Sequence, residues 1–195
     1  MRKIFCLCLF TLLACKKENT TGTVKPTPKD STQTVIEDIQ PEKTIPDNSA
    51  DYNGDETEET ANIILTKNGE GNPIEDGTPD EYSVKFSGEK LPDLQIGCCE
   101  AIIINEGDLD GDGADEFSVF QAPMNGCVYH FTTYAFRKGK WIKLIEPSLI
   151  PTACEEITIT ELEDRVFNDG GKIYIMETDV NDENFATIRK EAKML

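Results

Sequence analysis

The chain has 195 residues, with 37 acidic side chains against 19 basic ones and a formal net charge of −18 at pH 7. This length fits one domain with tails, or two very small domains. The acidity argues against a nucleic-acid partner, because phosphate-binding surfaces concentrate Lys and Arg. The mean hydropathy of −0.41 excludes a protein with many membrane spans, and the single His excludes a metal cluster built from histidines.

The N-terminus has the organisation of a signal peptide. Arg2 and Lys3 precede an apolar or small run over residues 4–14, in which Thr11 is the polar exception. Such a run is shorter than the ~20 residues that span a bilayer, but it suits a secretory signal. Residues 1–14 are therefore predicted to be a signal peptide.

The end of this segment, Leu12-Leu13-Ala14-Cys15, resembles the lipobox of bacterial lipoproteins. The resemblance implies cleavage before Cys15 and acylation of its thiol and new amino group by fatty acids such as palmitate. The chain lacks the Asp after the Cys that marks inner-membrane retention in some bacteria. We expect a lipid anchor in the outer membrane, at its periplasmic face or at the cell surface. An ordinary secretory signal with a Cys at its cleavage site is the alternative.

Residues 15–60 are predicted to be an acidic, disordered tether. Polar residues and proline dominate this stretch, so it buries too little apolar surface to offset the entropy lost on ordering. A flexible chain of this length reaches roughly 35–40 Å. The tether is therefore expected to hold the following domain away from the membrane.

Residues 61–195 alternate short β-branched and aromatic runs with turn residues, a pattern typical of antiparallel strands. Lys138-Gly139 and Asn168-Asp169-Gly170-Gly171 are predicted to be tight turns. Sustained helical periodicity is absent, so we expect a mainly β domain, a small antiparallel β-sandwich or a blade-like sheet. The predicted strands are 63–66, 82–86, 101–105, 116–121, 128–137, 140–145, 157–162, 172–178 and 185–190.

An acidic loop between two predicted strands gives the strongest chemical signal. Side-chain oxygens recur at positions 1, 3, 5 and 9 of the stretch from Asp108 to Glu116. Ca²⁺ takes about 6–8 oxygen ligands, and alternate residues of a tight loop can converge on one ion. Gly113 at position 6 permits the sharp turn. We expect Ca²⁺ to be bound by Asp108, Asp110, Asp112, the backbone carbonyl of Ala114, and Glu116. An Asp-Gly turn without metal is the alternative.

The loop departs from the EF-hand, which ends in Glu at position 12, because Val119 stands there. It resembles the FG-GAP/VCBS type, D-x-D-x-D-G-x-x-[DE], in which the calcium turn connects two β-strands. The resemblance implies a strand–calcium loop–strand hairpin with the ligands already given. The wider stretch also resembles single-domain Bacteroidetes lipoproteins that carry one such motif. A single clear copy in a chain of this length does not predict a propeller.

Two other stretches carry part of the same pattern. Asp51-Tyr52-Asn53-Gly54-Asp55, with Glu59, has oxygens at positions 1, 3, 5 and 9, but it lacks Gly at position 6 and falls in the predicted tether. Asp179-Val180-Asn181-Asp182-Glu183 has no match beyond position 5. Each is interpreted as a solvated acidic turn.

Four cysteines, Cys98, Cys99, Cys127 and Cys154, follow the predicted lipidation site. Disulfides are permitted outside the cytoplasm. A bridge between adjacent cysteines is strained, so Cys98 and Cys99 are each expected to pair with Cys127 or Cys154. Four reduced thiols are the alternative, and the spacing fits a Cys₄ zinc site poorly.

Two functions follow from these features. The first is a calcium-stabilised binding module whose partner is an envelope protein, a glycan or a host protein, with residues 122–126 and the aromatic strand after them as a contact surface. The alternative is an envelope hydrolase that uses calcium or a Cys–His pair at His130. Motifs of the G-x-S-x-G and H-E-x-x-H types are missing, so the binding module is favoured and no enzyme activity is predicted.

Overall fold

The computed structural model describes residues 47–183 and 185–195. These residues form twelve strands, arranged in three antiparallel sheets, and one short helix. The predicted mainly β, antiparallel class is confirmed, and the arrangement is consistent with a small β-sandwich. The predictions for residues 1–46, which include the signal peptide, Cys15 and most of the tether, lie outside the described residues.

The first sheet contains four strands in chain order: β1 (Ser49–Ala50), β2 (Glu59–Lys67), β3 (Glu81–Phe86) and β4 (Leu94–Gly97). The predicted domain boundary at Ala61 lies inside β2, so the β domain begins earlier than predicted.

The segment before β2 is held in place by one aromatic side chain. Tyr52 is fully buried, and its ring packs edge-to-face at 5.4 Å on both Phe86 and Phe117. Its hydroxyl donates a hydrogen bond to the carbonyl of Asn48 at 2.9 Å. Residues 47–60 are therefore part of the folded domain and not of a tether, because one large aromatic ring supplies the apolar surface that their polar composition lacks.

The second sheet contains β5 (Ala101–Gly107), β6 (Glu116–Gln121), β7 (Val128–Arg137), β8 (Lys140–Lys143) and β9 (Ser148–Pro151). The first four strands are neighbours in chain order, and β9 pairs with the first half of the long strand β7. The third sheet contains β10 (Val166–Asp169), β11 (Lys172–Thr178) and β12 (Thr187–Glu191).

The second sheet is buried on both faces. On β6, Phe117 and Val119 pack in one core cluster with residues of the first sheet. Phe120 packs in the other cluster, with residues of the third sheet and the helix. Side chains alternate between faces along a strand, so an almost continuously apolar strand fits a central layer.

Eight of the nine predicted strands overlap observed strands, and residues 157–162 are the exception. They contribute to the helix α1 (Ile159–Glu163). Thr158 caps this helix, because its hydroxyl accepts a hydrogen bond from the Glu161 N–H while the Glu161 carboxylate accepts one from the Thr158 N–H. The strand prediction was wrong because this capping box outweighed the β-branched residues. Among the described residues, no helix has the length and apolar character needed to cross a bilayer.

Both predicted turns are present. Lys138 and Gly139, between β7 and β8, have φ angles of 53° and 77°. Gly170 and Gly171, between β10 and β11, have φ angles of 64° and 82°. Positive φ at both central residues is the geometry that matches the twist of a two-residue hairpin.

Candidate metal centre

The connection from β5 to β6 is wrapped around one carboxylate. Asp108 Oδ1 accepts hydrogen bonds from the backbone N–H groups of Gly111 at 2.7 Å and Asp112 at 3.1 Å. Asp108 Oδ2 accepts one from Gly113 N–H at 3.0 Å. Gly111 and Gly113 have φ angles of 81° and 91°, a conformation that glycine adopts without steric cost. The spacing of glycine and aspartate therefore encodes the path of the loop.

Three carboxylates converge in this loop. Oxygen atoms of Asp108, Asp110 and Glu116 all lie within 4.8 Å of one another. Glu116 is fully buried at the start of β6, whereas the two aspartates face solvent. This arrangement could hold a metal ion, with protein oxygens on one side and access for water on the other.

The other two predicted ligands are Asp112 and the backbone carbonyl of Ala114. Asp112 lies in the same loop but outside the group of three carboxylates, and its Oδ1 accepts a hydrogen bond from Ala114 N–H at 3.0 Å. Ala114 is buried, at 5% exposure. Of the five predicted ligands, the structure brings the carboxylates of Asp108, Asp110 and Glu116 together.

Sequence reasoning missed Arg137, whose guanidinium lies among these carboxylates. Its Nη2 is 2.7 Å from Asp110 Oδ2 and 2.9 Å from Glu116 Oε1, and its Nη1 is 3.0 Å from Asp112 Oδ2. Arg137 ends β7, and the register places Phe117 opposite Tyr134. The strand β7 therefore extends beyond the start of β6 towards the loop, and only this strand pairing could have located Arg137 beside the site.

The electrostatics of the site centre on Glu116. Burial raises the pKa of Glu116 to about 7, opposed by hydrogen bonds from the Leu109 N–H and from Arg137. The Leu109 bond measures 2.8 Å. Asp108, Asp110, Asp112 and Glu116 carry four formal negative charges when ionised, and the guanidinium supplies one positive charge. The excess of negative charge is what a divalent cation compensates.

The loop also connects the three sheets. Leu109 is buried in the core cluster of the third sheet, and its carbonyl accepts a hydrogen bond from Asn168 Nδ2 in β10 at 2.6 Å. The backbone N–H of Asp115 donates to the carbonyl of Asp51 at 2.8 Å. In return, the N–H of Asp51 donates to Asp115 Oδ2 at 3.0 Å. Movement of this loop would therefore disturb contacts on both sides of the central sheet.

The disulfide pairing differs from the prediction. Cys98 is bonded to Cys99, and Cys127 is bonded to Cys154. The second bridge follows from strand pairing, because Thr152 N–H donates to the Cys127 carbonyl at 2.9 Å and the two Cys Cα atoms lie 5.0 Å apart. The predicted bridges from Cys98 and Cys99 to the other two cysteines were wrong, since the pairing of β7 with β9 already joins Cys127 to Cys154.

His130 lies on the exposed part of β7, opposite Leu149 of β9. All four cysteines among the described residues are disulfide-bonded. The structure therefore offers His130 no cysteine thiolate from this part of the chain, and the predicted Cys–His pair does not form there.

The chain matches no protein-family model, no curated protein and no solved structure.

Proposed function

We propose that this protein is a lipid-anchored, extracytoplasmic binding module whose β domain is stabilised by Ca²⁺ at the Asp108 loop. The supporting observation is the convergence of Asp108, Asp110 and Glu116 oxygens within 4.8 Å, in a loop that joins two core strands. The ion has a structural role in this proposal.

Calcium suits these residues better than a transition metal. The group contains carboxylate oxygens and neither imidazole nor thiolate, which is the donor set preferred by hard cations. Glu116 supplies a buried carboxylate, and Asp108 and Asp110 supply carboxylates that border solvent. Arg137 pairs with Asp110 and Glu116 when the ion is absent, so the guanidinium competes with Ca²⁺ for these carboxylates.

The ion would stabilise the domain by neutralising the charge that the loop concentrates. Asp108 already accepts three backbone hydrogen bonds, so the loop is preorganised before the ion arrives. Preorganisation lowers the ordering cost of binding, and a ligand that binds only the folded state raises its stability.

The proposed location depends on the N-terminal sequence. The basic residues, the apolar run and the lipobox ending at Cys15 together support lipid attachment in the outer membrane. Mass spectrometry of the protein isolated from membranes tests this: we expect a chain that begins at acylated Cys15. An unacylated chain, or one that retains residues 1–14, would contradict the proposal.

The exposed side chains of Val128 and Leu149 form an apolar patch that provides the contact surface for a partner. These side chains are 45% and 54% exposed. Val128 and His130 share one face of β7, and His130 lies opposite Leu149. Met124, in the predicted contact loop 122–126, is 48% exposed. Clustered exposed apolar side chains mark interaction surfaces more often than scattered ones do, and the partner would be an envelope protein, a glycan or a host protein.

Calcium binding is tested by melting the full chain with CaCl₂ and with a chelator. An ion present at a hundred times its Kd stabilises the folded state by about 2.7 kcal/mol, which corresponds to roughly 5–10 °C for a domain of this size. We expect Asp110→Asn to remove the part of the shift that the Asp108 loop contributes. Asp93→Asn, the same change at an exposed residue outside the loop, should leave it intact. A wild-type melting temperature that ignores Ca²⁺ up to about 1 mM would contradict the proposal.

The binding module is tested by capture of envelope proteins and glycans on the immobilised full chain. Leu149→Asp should eliminate a specific partner because it places a charge in the apolar patch. Leu65→Asp alters a similarly exposed leucine, at 46% exposure, on the first sheet, and it should retain the partner. Equal capture by both variants would exclude the patch as the contact surface.

A further inference from the structure

A second loop in the domain repeats the backbone plan of the Asp108 loop. Asp51 Oδ1 accepts hydrogen bonds from the N–H groups of Gly54 at 2.8 Å and Asp55 at 3.0 Å, and Asp51 Oδ2 accepts one from Glu56 at 2.6 Å. These donors stand three, four and five residues after the aspartate, as they do after Asp108. The loop is therefore an ordered hairpin connection between β1 and β2, although its sequence predicted a solvated turn in a tether.

The missing glycine at position 6 does not prevent this conformation. Glu56 occupies that position with a φ of 65°, and Gly54 at position 4 has a φ of 73°. The corresponding residues of the first loop, Gly111 and Gly113, also have positive φ angles. Position 6 requires a left-handed backbone, and here a non-glycine residue adopts it.

The observation that points to a ligand is the carboxylate at position 9. Glu59 is 5% exposed, and its Oε1 accepts a hydrogen bond from Asn53 Nδ2, at position 3, at 2.5 Å. This bond directs the carboxylate into the loop. Its Oε2 is buried and accepts no hydrogen bond from any residue in the described part of the chain. A buried, unpartnered carboxylate oxygen is costly unless a donor or a cation approaches it.

The second loop has less internal charge compensation than the first. Both oxygens of Glu116 have partners, the Arg137 guanidinium and the Leu109 N–H. Within residues 47–183 and 185–195, no guanidinium pairs with Glu59: the nearby basic side chain, Lys90, pairs with Asp55 and is 62% exposed. Burial raises the pKa of Glu59, and the charges of Asp55 and Asp51 raise it further. The Lys90 ammonium therefore compensates the negative charge of this loop at Asp55, on the solvent-exposed side, and not at the buried Glu59.

We propose that residues 51–59 form a second binding site for a divalent cation that prefers oxygen ligands, with Ca²⁺ as the expected ion. Its ligands would be the side-chain oxygens of Asp51, Asn53, Asp55 and Glu59. In the metal-free chain these carboxylates do not converge as those of the Asp108 loop do, and Asn53 presents its Nδ2 to Glu59. The ion would therefore draw the carboxylates together and turn the Asn53 amide so that its oxygen faces the ion. The ion would approach the unpartnered Glu59 oxygen and neutralise the three carboxylates. This replaces the interpretation of the segment as a solvated acidic turn.

The two loops touch each other, yet each has its own ligands. They are joined by the paired hydrogen bonds between Asp51 and Asp115. An ideal Cβ placed on Gly54 would lie 3.4 Å from the Gly113 carbonyl oxygen. Neither loop contributes a side chain to the other's group of carboxylates. One site can therefore be removed while the other is retained, so the two proposals can fail separately.

The number of bound ions tests the second site. Equilibrium dialysis of the purified full chain against CaCl₂, with metal analysis, should give two ions per chain. Glu59→Gln removes the buried charge at nearly constant volume and should reduce the number to one. Glu58→Gln makes the same change at an exposed neighbour in the same loop and should leave it at two. Asp55→Asn, at an exposed position, should also reduce it to one and serves if Glu59→Gln fails to fold by circular dichroism.

Glu116→Gln separates this proposal from the proposed function. With both sites present, Glu116→Gln and Glu59→Gln should each retain one ion. A wild-type chain that binds one ion, lost in Glu116→Gln but kept in Glu59→Gln and Asp55→Asn, overturns the second site and leaves the first standing. A wild-type chain that binds one ion, lost in Glu59→Gln and Asp55→Asn but kept in Glu116→Gln, supports the second site and contradicts the first. A chain that binds none overturns both.

Discussion

Replacement of Arg137 should make the domain strongly dependent on calcium. Arg137→Met keeps most of the apolar stem but removes the guanidinium that bonds to Asp110, Asp112 and Glu116. In the absence of metal, the variant leaves Glu116, which is fully buried, without its positive partner. We therefore expect the metal-free variant to be less stable than the metal-free wild type.

The expected loss of stability follows from how deeply each ion pair of Arg137 is buried. Removing one partner of a fully buried ion pair costs about 3–5 kcal/mol. The Arg137 side chain is 22% exposed, however, and Asp110 and Asp112 are 23% and 42% exposed. Exposed pairs contribute about 0.2–1 kcal/mol each. A loss of about 3 kcal/mol is therefore expected, or roughly 6–12 °C in melting temperature.

Calcium should restore most of this loss. The ion no longer competes with a guanidinium for Asp110 and Glu116, so the stabilisation by Ca²⁺ should be larger in Arg137→Met than in the wild type. The assay is urea unfolding of both chains with chelator and with CaCl₂. A deficit of equal size in both conditions would refute the reasoning, because it would show that calcium does not take over the role of the guanidinium.

Three further predictions concern the rest of the domain. Burial raises the pKa of Glu106 to about 8 from its ordinary value of 4.5, so the free energy of unfolding of the metal-free chain should fall as pH rises between these values. Between about pH 5 and 7 this fall is at most about 2.7 kcal/mol in urea unfolding, and Glu106→Gln should remove it. Thr158→Ala should cost about 1 kcal/mol through the lost cap, whereas Thr160→Ala, at an exposed position in the same helix, should cost less in the same assay. Replacing Cys127 and Cys154 by Ser should cost about 3.5 kcal/mol, because their bridge closes a loop across a sequence separation of 27; unchanged thermal stability would contradict this.

Strands were predictable where side chains alternate or where an apolar run is short. β6 and β7 were recognised within their observed bounds because aromatic and β-branched residues concentrate there. The helix was not recognised, because Ile157-Thr158-Ile159-Thr160 resembles a strand locally. Its signal was the spacing of Thr158 and Glu161, which only a search for capping boxes would find.

The start of the domain was misplaced because composition averages over a segment. Residues 47–60 are polar overall, yet Tyr52 alone buries a large ring against three other aromatic side chains, Phe86, Phe117 and Trp141. A single anchoring side chain changes the composition very little. The Asp51 loop was predicted to be a solvated turn for the same reason, because the surrounding segment is polar and position 6 of the loop is not glycine.

The residues of the candidate site that lie close together in sequence were predictable, and those that come from distant strands were not. Asp108, Asp110 and Glu116 are close in sequence, so their spacing alone brought them together. Arg137 depends on the register between β6 and β7, and the Cys127–Cys154 bridge depends on the pairing of β7 with β9. Long-range pairing of this kind is not encoded in local spacing.

The position of the Asp108 loop explains why a surface ion would affect the whole domain. Leu109 anchors the loop in the core shared with the third sheet, and Asn168 holds its carbonyl from β10. Asp115 joins the same loop to Asp51, immediately after β1 of the first sheet. Unfolding of the loop alone would expose Leu109 and break these bonds, so the loop cannot open without weakening the packing on both faces of the central sheet. If the loop binds a cation as proposed, the free energy of binding stabilises the contacts with all three sheets together, which would give the ion a structural role.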